Sequence, residues 1–340
     1  MIEPDVWRQL SLFERAGLVR RFYRERHGRS LSAGKARDIV AHLLQGRDYF
    51  ASARQAAEPV RPLLLYHGVL ALSRAAILYL DRGHSGADTL SPQHGLGATD
   101  WMGHLAGRLD RLADLGVGVQ RGTFTELLRV TGNEERIATF VGPERVRMPW
   151  SIADTTAIPA GHAISLKEVV GRVPELPPSY ERTFATHAPM HPTAIHSLDS
   201  TTTIVLPETA LGLPDEAHLR AELQLPHDVN IRIAEHHPLL GAVTHYHFGL
   251  FHPSLAEMMT SLPPVRNDRA GRIYPVAPLD FGGTRAAVSS LAVLYMIAYM
   301  MGMLVRYHPS VWLALTSRES GDLMLPLLQA AVAVVEERFP

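Results

Sequence analysis

The chain contains no cysteine among its 340 residues. Disulfides, thiol nucleophiles, thiolate zinc and cysteine-held iron–sulfur clusters are therefore excluded, and the composition suits a reducing compartment. Lysine is nearly missing: arginine supplies 31 of the 33 basic side chains. That imbalance is read as genomic composition bias and carries no functional weight. Net charge is also lacking, at −1, so no global field draws the chain to nucleic acid or to an anionic membrane. The nucleotide loops GxGxxG and GxxxxGK[ST] are absent, as are HExxH and the GxSxG elbow. Asp280-Phe281-Gly282 copies a kinase tripeptide, but the catalytic-loop sequence that should precede it is missing. The N-terminal MIEPDVWRQL has no basic-then-apolar pattern, so a signal peptide is not expected and a cytoplasmic location is.

What is present is a large apolar complement, 46% of the chain, ample for a packed core. Its centre is Ala286 to Val305, a run without a charge. Gly282-Gly283 and the potential N-cap Thr284 open it, and Pro309 should end it. A rise of about 30 Å would cross a bilayer. Its serines, tyrosines, alanines and methionines favour a core helix instead, and no membrane is expected. Tyr295, Tyr299, Gly302 and Arg306 form one stripe on that helix. A second apolar helix is expected over Leu63–Leu80, with Pro62 in its first turn. There His67, Arg74 and Asp81 recur every seventh residue and share a face.

Residues 5 to 27 are expected to form one helix, with Leu12, Ala16, Val19 and Tyr23 inward and an arginine-rich end. Ser32 caps a second helix over about 33 to 57. A short helix is expected from Asp100 to Leu115. The character then changes. Ile137–Val141, Thr201–Leu206, Val229–Ala234 and Ala242–Phe248 are β-branched or alternating and predict strands. Short helices are expected after Ser165, within a capping box, and over Asp215–Gln224. Trp312–Thr316 and Leu323–Arg338 close the chain as helices. The expected fold class is α+β: a mainly helical body from both chain ends with two very apolar helices, and a mixed α/β middle. The parts expected are 1–120, 121–265 and 266–340.

Several segments together resemble the YaaC-like family of bacterial proteins. They are Arg47-Asp48-Tyr49-Phe50-x-x-Ala53, Pro62-Leu63-Leu64-Leu65-Tyr66-His67-Gly68, His94-Gly95-Leu96, Ser165-Leu166-Lys167-Glu168-Val169-Val170 with Val173-Pro174-Glu175-Leu176, and Arg306-Tyr307-His308-Pro309-Ser310-Val311-Trp312 with the closing Glu336-Glu337-Arg338-Phe339-Pro340. The resemblance spans nearly the whole chain and implies a soluble protein. It supplies no catalytic residues. His67 stands where the family pattern has an aromatic residue, so the resemblance implies no catalytic role for it.

The helical part also resembles, faintly, the HEPN helical nucleases and nucleotide-binding modules, which place a His four to six residues after an Arg. Arg37 and His42 fit that spacing on one helix. An imidazole there would move the proton of an RNA 2′-hydroxyl while the guanidinium held the phosphate. Six histidines have such an arginine in this arginine- and histidine-rich chain, no more than chance predicts. His245 and His247 share a strand face and would clasp a metal if His252 or a carboxylate joined them. No spacing selects that third ligand, so no metal or other cofactor is expected. The expected function is that of a binding or interaction module. Its candidate residues are His67, Arg74, Tyr295, Tyr299 and Arg306, where the two polar stripes would meet. The alternatives are a metal-independent ribonuclease using Arg37 and His42, and a metal-dependent hydrolase using the middle-region histidines. The expected partner is an unidentified protein, with RNA or a nucleotide as a further partner for the arginine-rich N-terminal helix. An oligomer is left open.

Overall fold

The computed structural model describes residues 6–340 apart from 106–108, 142–143, 152–157, 159, 199–200, 224, 226, 237–240, 242–243, 252–264, 276 and 318–323. The fold is α+β. Two compact units divide the chain. One comprises Met1–Asn133, Thr155–Leu166 and Leu291–Pro340; the other comprises Glu134–Asp154 and Lys167–Ser290.

The first unit is mainly helical. The expected single N-terminal helix is broken into Val6–Leu10, a 3-10 turn over Ser11–Glu14, and Ala16–His27. Arg15 causes the break, because its extended backbone (φ −117°, ψ 115°) cannot continue a helix. Leu12 is consequently exposed, whereas Val19 and Tyr23 are buried against Ile39 and Leu78. The next helix is Ala33–Gln55, capped as expected by Ser32, whose hydroxyl accepts from the Lys35 N–H at 3.2 Å. Arg61–Leu80 follows, with Pro62 in its first turn.

The long uncharged stretch forms the helix Ser290–Tyr307. Both apolar helices are long enough to cross a membrane, but 61% of the one window and 72% of the other is buried within the protein. They serve as core. Pro309 stops the second of them by starting a new helix, Pro309–Thr316. Met324–Arg338 completes the unit and buries Leu327, Leu328, Ala331 and Val335. Glu336, near its end, accepts from Arg54 at 3.1 Å and pairs with Arg61, which ties the chain's two ends together.

The same unit contains strands that the sequence pattern does not reveal. His94–Thr99 pairs antiparallel with Gly116–Gly122, which pairs in turn with Ala163–Ser165. Glycines interrupt the hydrophobic alternation here. The pairing shifts register between His94 and Leu96, at Gly95, whose φ of 83° suits glycine. The expected helix over Asp100–Leu115 is instead a short helix, Trp101–Leu105, and a 3-10 helix, Leu109–Asp114.

The second unit carries a four-stranded antiparallel sheet in the order Ala194–Leu198, Thr201–Pro207, His245–Phe251, Ile231–Ala234. Tyr246 and Phe248 join Ile204, Leu206, Leu219 and Leu223 in its core. Glu134–Val141 and Glu144–Ser151 form a hairpin. Another hairpin overturns an expectation. Thr284 is not a helix cap; Leu279–Phe281 and Thr284–Ala286 pair around Gly282-Gly283. Both glycines have positive φ, 68° and 93°, the condition for a two-residue turn that matches strand twist. The helix therefore begins after this hairpin.

Two buried arginines brace this unit. Arg266 is fully buried; it bonds Glu135 at 3.2 Å and the carbonyls of Arg172 and Val288. Arg172 donates to the carbonyls of Ala277 at 3.2 Å and Pro278 at 2.9 Å. Glu135 also accepts from the Ser290 N–H at 2.7 Å. These bonds satisfy a charge that would be costly to bury alone.

Candidate functional site

Members of the two polar stripes act on one another electrostatically within the first unit. The helices Arg61–Leu80 and Ser290–Tyr307 come together where Gly302 faces Tyr66. A Cβ on Gly302 would stand 2.7 Å from the Tyr66 Cβ, so only glycine permits this approach. Arg306 acts electrostatically on His67, near the start of the first helix, and Arg74, toward its end, acts on Tyr295. The strand His94–Thr99 brings in His94, whose backbone carbonyl accepts from the Tyr295 hydroxyl at 2.9 Å.

Rings line this seam. Tyr66 meets Tyr299 edge-on at 5.6 Å and His94 at 5.6 Å, and His94 lies 6.1 Å from Tyr299. His67 stacks on Tyr49 of the helix Ala33–Gln55, at 5.4 Å and 26°. It thus does what an aromatic residue at that position would do. Arg306 is exposed at the rim, while His67, Arg74 and His94 are half-buried.

Two side-chain atoms in the seam are buried without a hydrogen-bond partner among the described residues: Arg74 Nε and His94 Nδ1. The Tyr66 hydroxyl lies against that of Tyr295, and a hydrogen bond between the two contributes to the titration of each. Buried polar groups are normally satisfied, so two orphans in one place are unusual.

The electrostatics are one-sided. Burial pushes the His94 imidazole below its ordinary range, and Arg74, His67 and Arg306 push it further. His67 is lowered by burial and then by Arg306. Burial raises the phenols of Tyr66, Tyr295 and Tyr299. The charges acting on His67 and His94 are all cationic.

Asp81, the third member of the first stripe, lies past the helix end. Its carboxylate accepts from the Gly83 N–H at 2.7 Å and pairs with Arg129. It borders a separate polar cleft of about 580 Å³ with His84, Arg121 and Glu126. There the signs are balanced, since His84 lies 3.7 Å from both Asp81 and Glu126.

Arg37 and His42 share the helix Ala33–Gln55, but five residues turn them about 140° apart. Arg37 is exposed and His42 half-buried. His42 is lowered by burial and then by Arg74, opposed by Asp38. The cation that acts on it is thus Arg74, from the next helix. In the second unit, His245 is buried and His247 exposed on their shared strand face. His252 lies outside the described residues. Among the described residues, no three histidine or carboxylate side chains are grouped as a metal set.

The family model of the YaaC-like proteins matches residues 11–340. The chain belongs to the YaaC-like family. Neither the curated proteins nor the solved structures contain a match. Three of the segments that carry the family resemblance, around Tyr66-His67, His94 and Arg306, supply the seam. Sequence reasoning does not single out Tyr66 and His94 as site residues, because neither lies on a polar stripe. Their presence in those segments is the available signal.

Proposed function

We propose that this YaaC-like protein is a cytoplasmic binding protein without catalysis of its own, and that its ligand occupies the seam between the two apolar helices. The observation that carries this reading is the pair of orphaned polar atoms on Arg74 and His94. A ligand would supply the partners they lack. Convergent polar groups within an apolar core are the common form of a small-molecule site.

The test is mass spectrometry of what leaves untagged protein on denaturation, paired with a thermal melt before and after that release. A stoichiometric small molecule, lost from Arg74→Met, supports the reading. Turnover of any substrate that disappears on a single substitution in the seam would overturn the non-catalytic part of it.

The electrostatic action of Arg74 on His42 favours one second reading, metal-independent cleavage of RNA. Its chemistry is the imidazole–guanidinium pairing considered for Arg37 and His42, with Arg74 as the guanidinium. Cleavage in EDTA that survives His42→Ala would dispose of it.

A further inference from the structure

We propose that the ligand of this seam presents an oxyanion, of the phosphate or sulfate kind, to Arg74 and Arg306, and that its binding draws protons onto His67 and His94. This inference rests on the binding reading above and specifies the ligand's chemistry.

Each orphan requires a particular kind of partner. A guanidinium has only donors, so the partner of Arg74 Nε must be an acceptor. Arg74 and Arg306 form no ion pair among the described residues. A neutral carbonyl would satisfy the hydrogen bond and leave the charge uncompensated; an oxyanion satisfies both. The rest of the lining fits the same ligand. Each imidazole becomes a double donor once protonated. The cluster is half-buried and framed by packed helices.

The groups facing the two imidazoles can be taken element by element. The helix Ala33–Gln55 contributes Tyr49 against His67. Its His42, with Asp38 nearby, faces Arg74. The helix Arg61–Leu80 contributes Tyr66 and Arg74, and the helix Ser290–Tyr307 contributes Tyr299 and Arg306. None of those acting on His67 or His94 is a carboxylate. Both rings are therefore held neutral near pH 7 by burial and by like charge. A bound dianion reverses the second cause, so protonation and anion binding reinforce each other.

The experiment uses untagged full-length protein. Sodium sulfate is titrated by calorimetry and by thermal shift at pH 8 and pH 6, against sodium chloride of equal ionic strength. Sulfate keeps its charge over this range, so any pH dependence belongs to the protein. Sulfate should bind more tightly at pH 6, by up to about tenfold per pH unit for each proton taken up. Arg74→Met should abolish the response. The exposed Arg306→Gln, which tests the site even if Arg74→Met does not fold, should weaken binding about tenfold or more. Arg21→Gln, on a fully exposed pair with Glu25, should leave it unchanged. Inorganic phosphate and the mass spectrum of released molecules distinguish a free anion from a phosphorylated metabolite.

Equal sulfate binding by wild type and Arg306→Gln would place the anion elsewhere and overturn the inference. A neutral or cationic molecule that wild type retains and the seam variants lose would overturn the anion inference and leave the binding reading standing. No retained molecule and no response to either anion would remove both.

Discussion

At the scale of single residues, the seam is defined by groups whose own needs are unmet. The second unit contains another such group outside any proposed site. His191 is almost wholly buried, its Nε2 has no hydrogen-bond partner among the described residues, and burial lowers its pKa to about 4. The unfolded chain would bind this proton near pH 6.5. Between those values the unfolded state takes up a proton that the folded state refuses, so stability falls as pH falls. The loss should reach roughly 3 kcal/mol near pH 4 and then level off. Urea midpoints between pH 7.5 and pH 4 would measure it, and His191→Gln should flatten that part of the profile. The Arg266–Glu135 pair gives a second prediction. Arg266→Met leaves a buried carboxylate without its cation and should cost about 3–5 kcal/mol. Adding Glu135→Gln should recover part of that cost in a denaturant series.

At the scale of elements, glycine in a helix is ordinarily a small liability, and here its sign depends on the neighbour. Gly34 lies in the first turn of the helix Ala33–Gln55, and a Cβ added there would meet nothing within 4 Å. Gly34→Ala should stabilise by up to about 1 kcal/mol. At Gly302 the same change drives a methyl into the Tyr66 side chain. Gly302→Ala should therefore destabilise by about 1–3 kcal/mol, and by opening the helix contact it should weaken sulfate binding as well. Thermal melts of the two variants give opposite shifts if helix contact decides the outcome. Equal upward shifts would mean that propensity does.

At the scale of the whole molecule, the helical unit is assembled from segments far apart in the chain. Met324–Arg338 buries eight apolar side chains, Met324, Leu325, Leu327 and Leu328 among them, and anchors Glu336 on Arg54 and Arg61. At about 1.5–3 kcal/mol for each large side chain buried, this helix contributes as much as the total stability of many domains. Deleting residues 324–340 should abolish the cooperative thermal transition of the helical unit followed by circular dichroism. A retained transition would show that the remaining helices suffice.

Much of this architecture was legible in the sequence. Apolar runs, proline positions and the Ser32 cap are local signals, and they located both central helices and the α+β class. Heptad-like spacing also placed His67 with Arg74, and Tyr295 with Tyr299, Gly302 and Arg306, because residues three, four or seven apart share a helix face whatever surrounds them. Backbone geometry defeated the local pattern elsewhere. An extended Arg15 split a periodic helix, and Gly282-Gly283 made a hairpin where a helix entry was expected. The coupling of the two stripes was beyond the sequence, since it depends on Gly302 admitting Tyr66 and on a strand that delivers His94. So was the choice of Arg74, rather than Arg37, as the cation that acts on His42. Helical spacing determines which residues share a face; only packing determines what that face meets, and hence which charges are left without a partner.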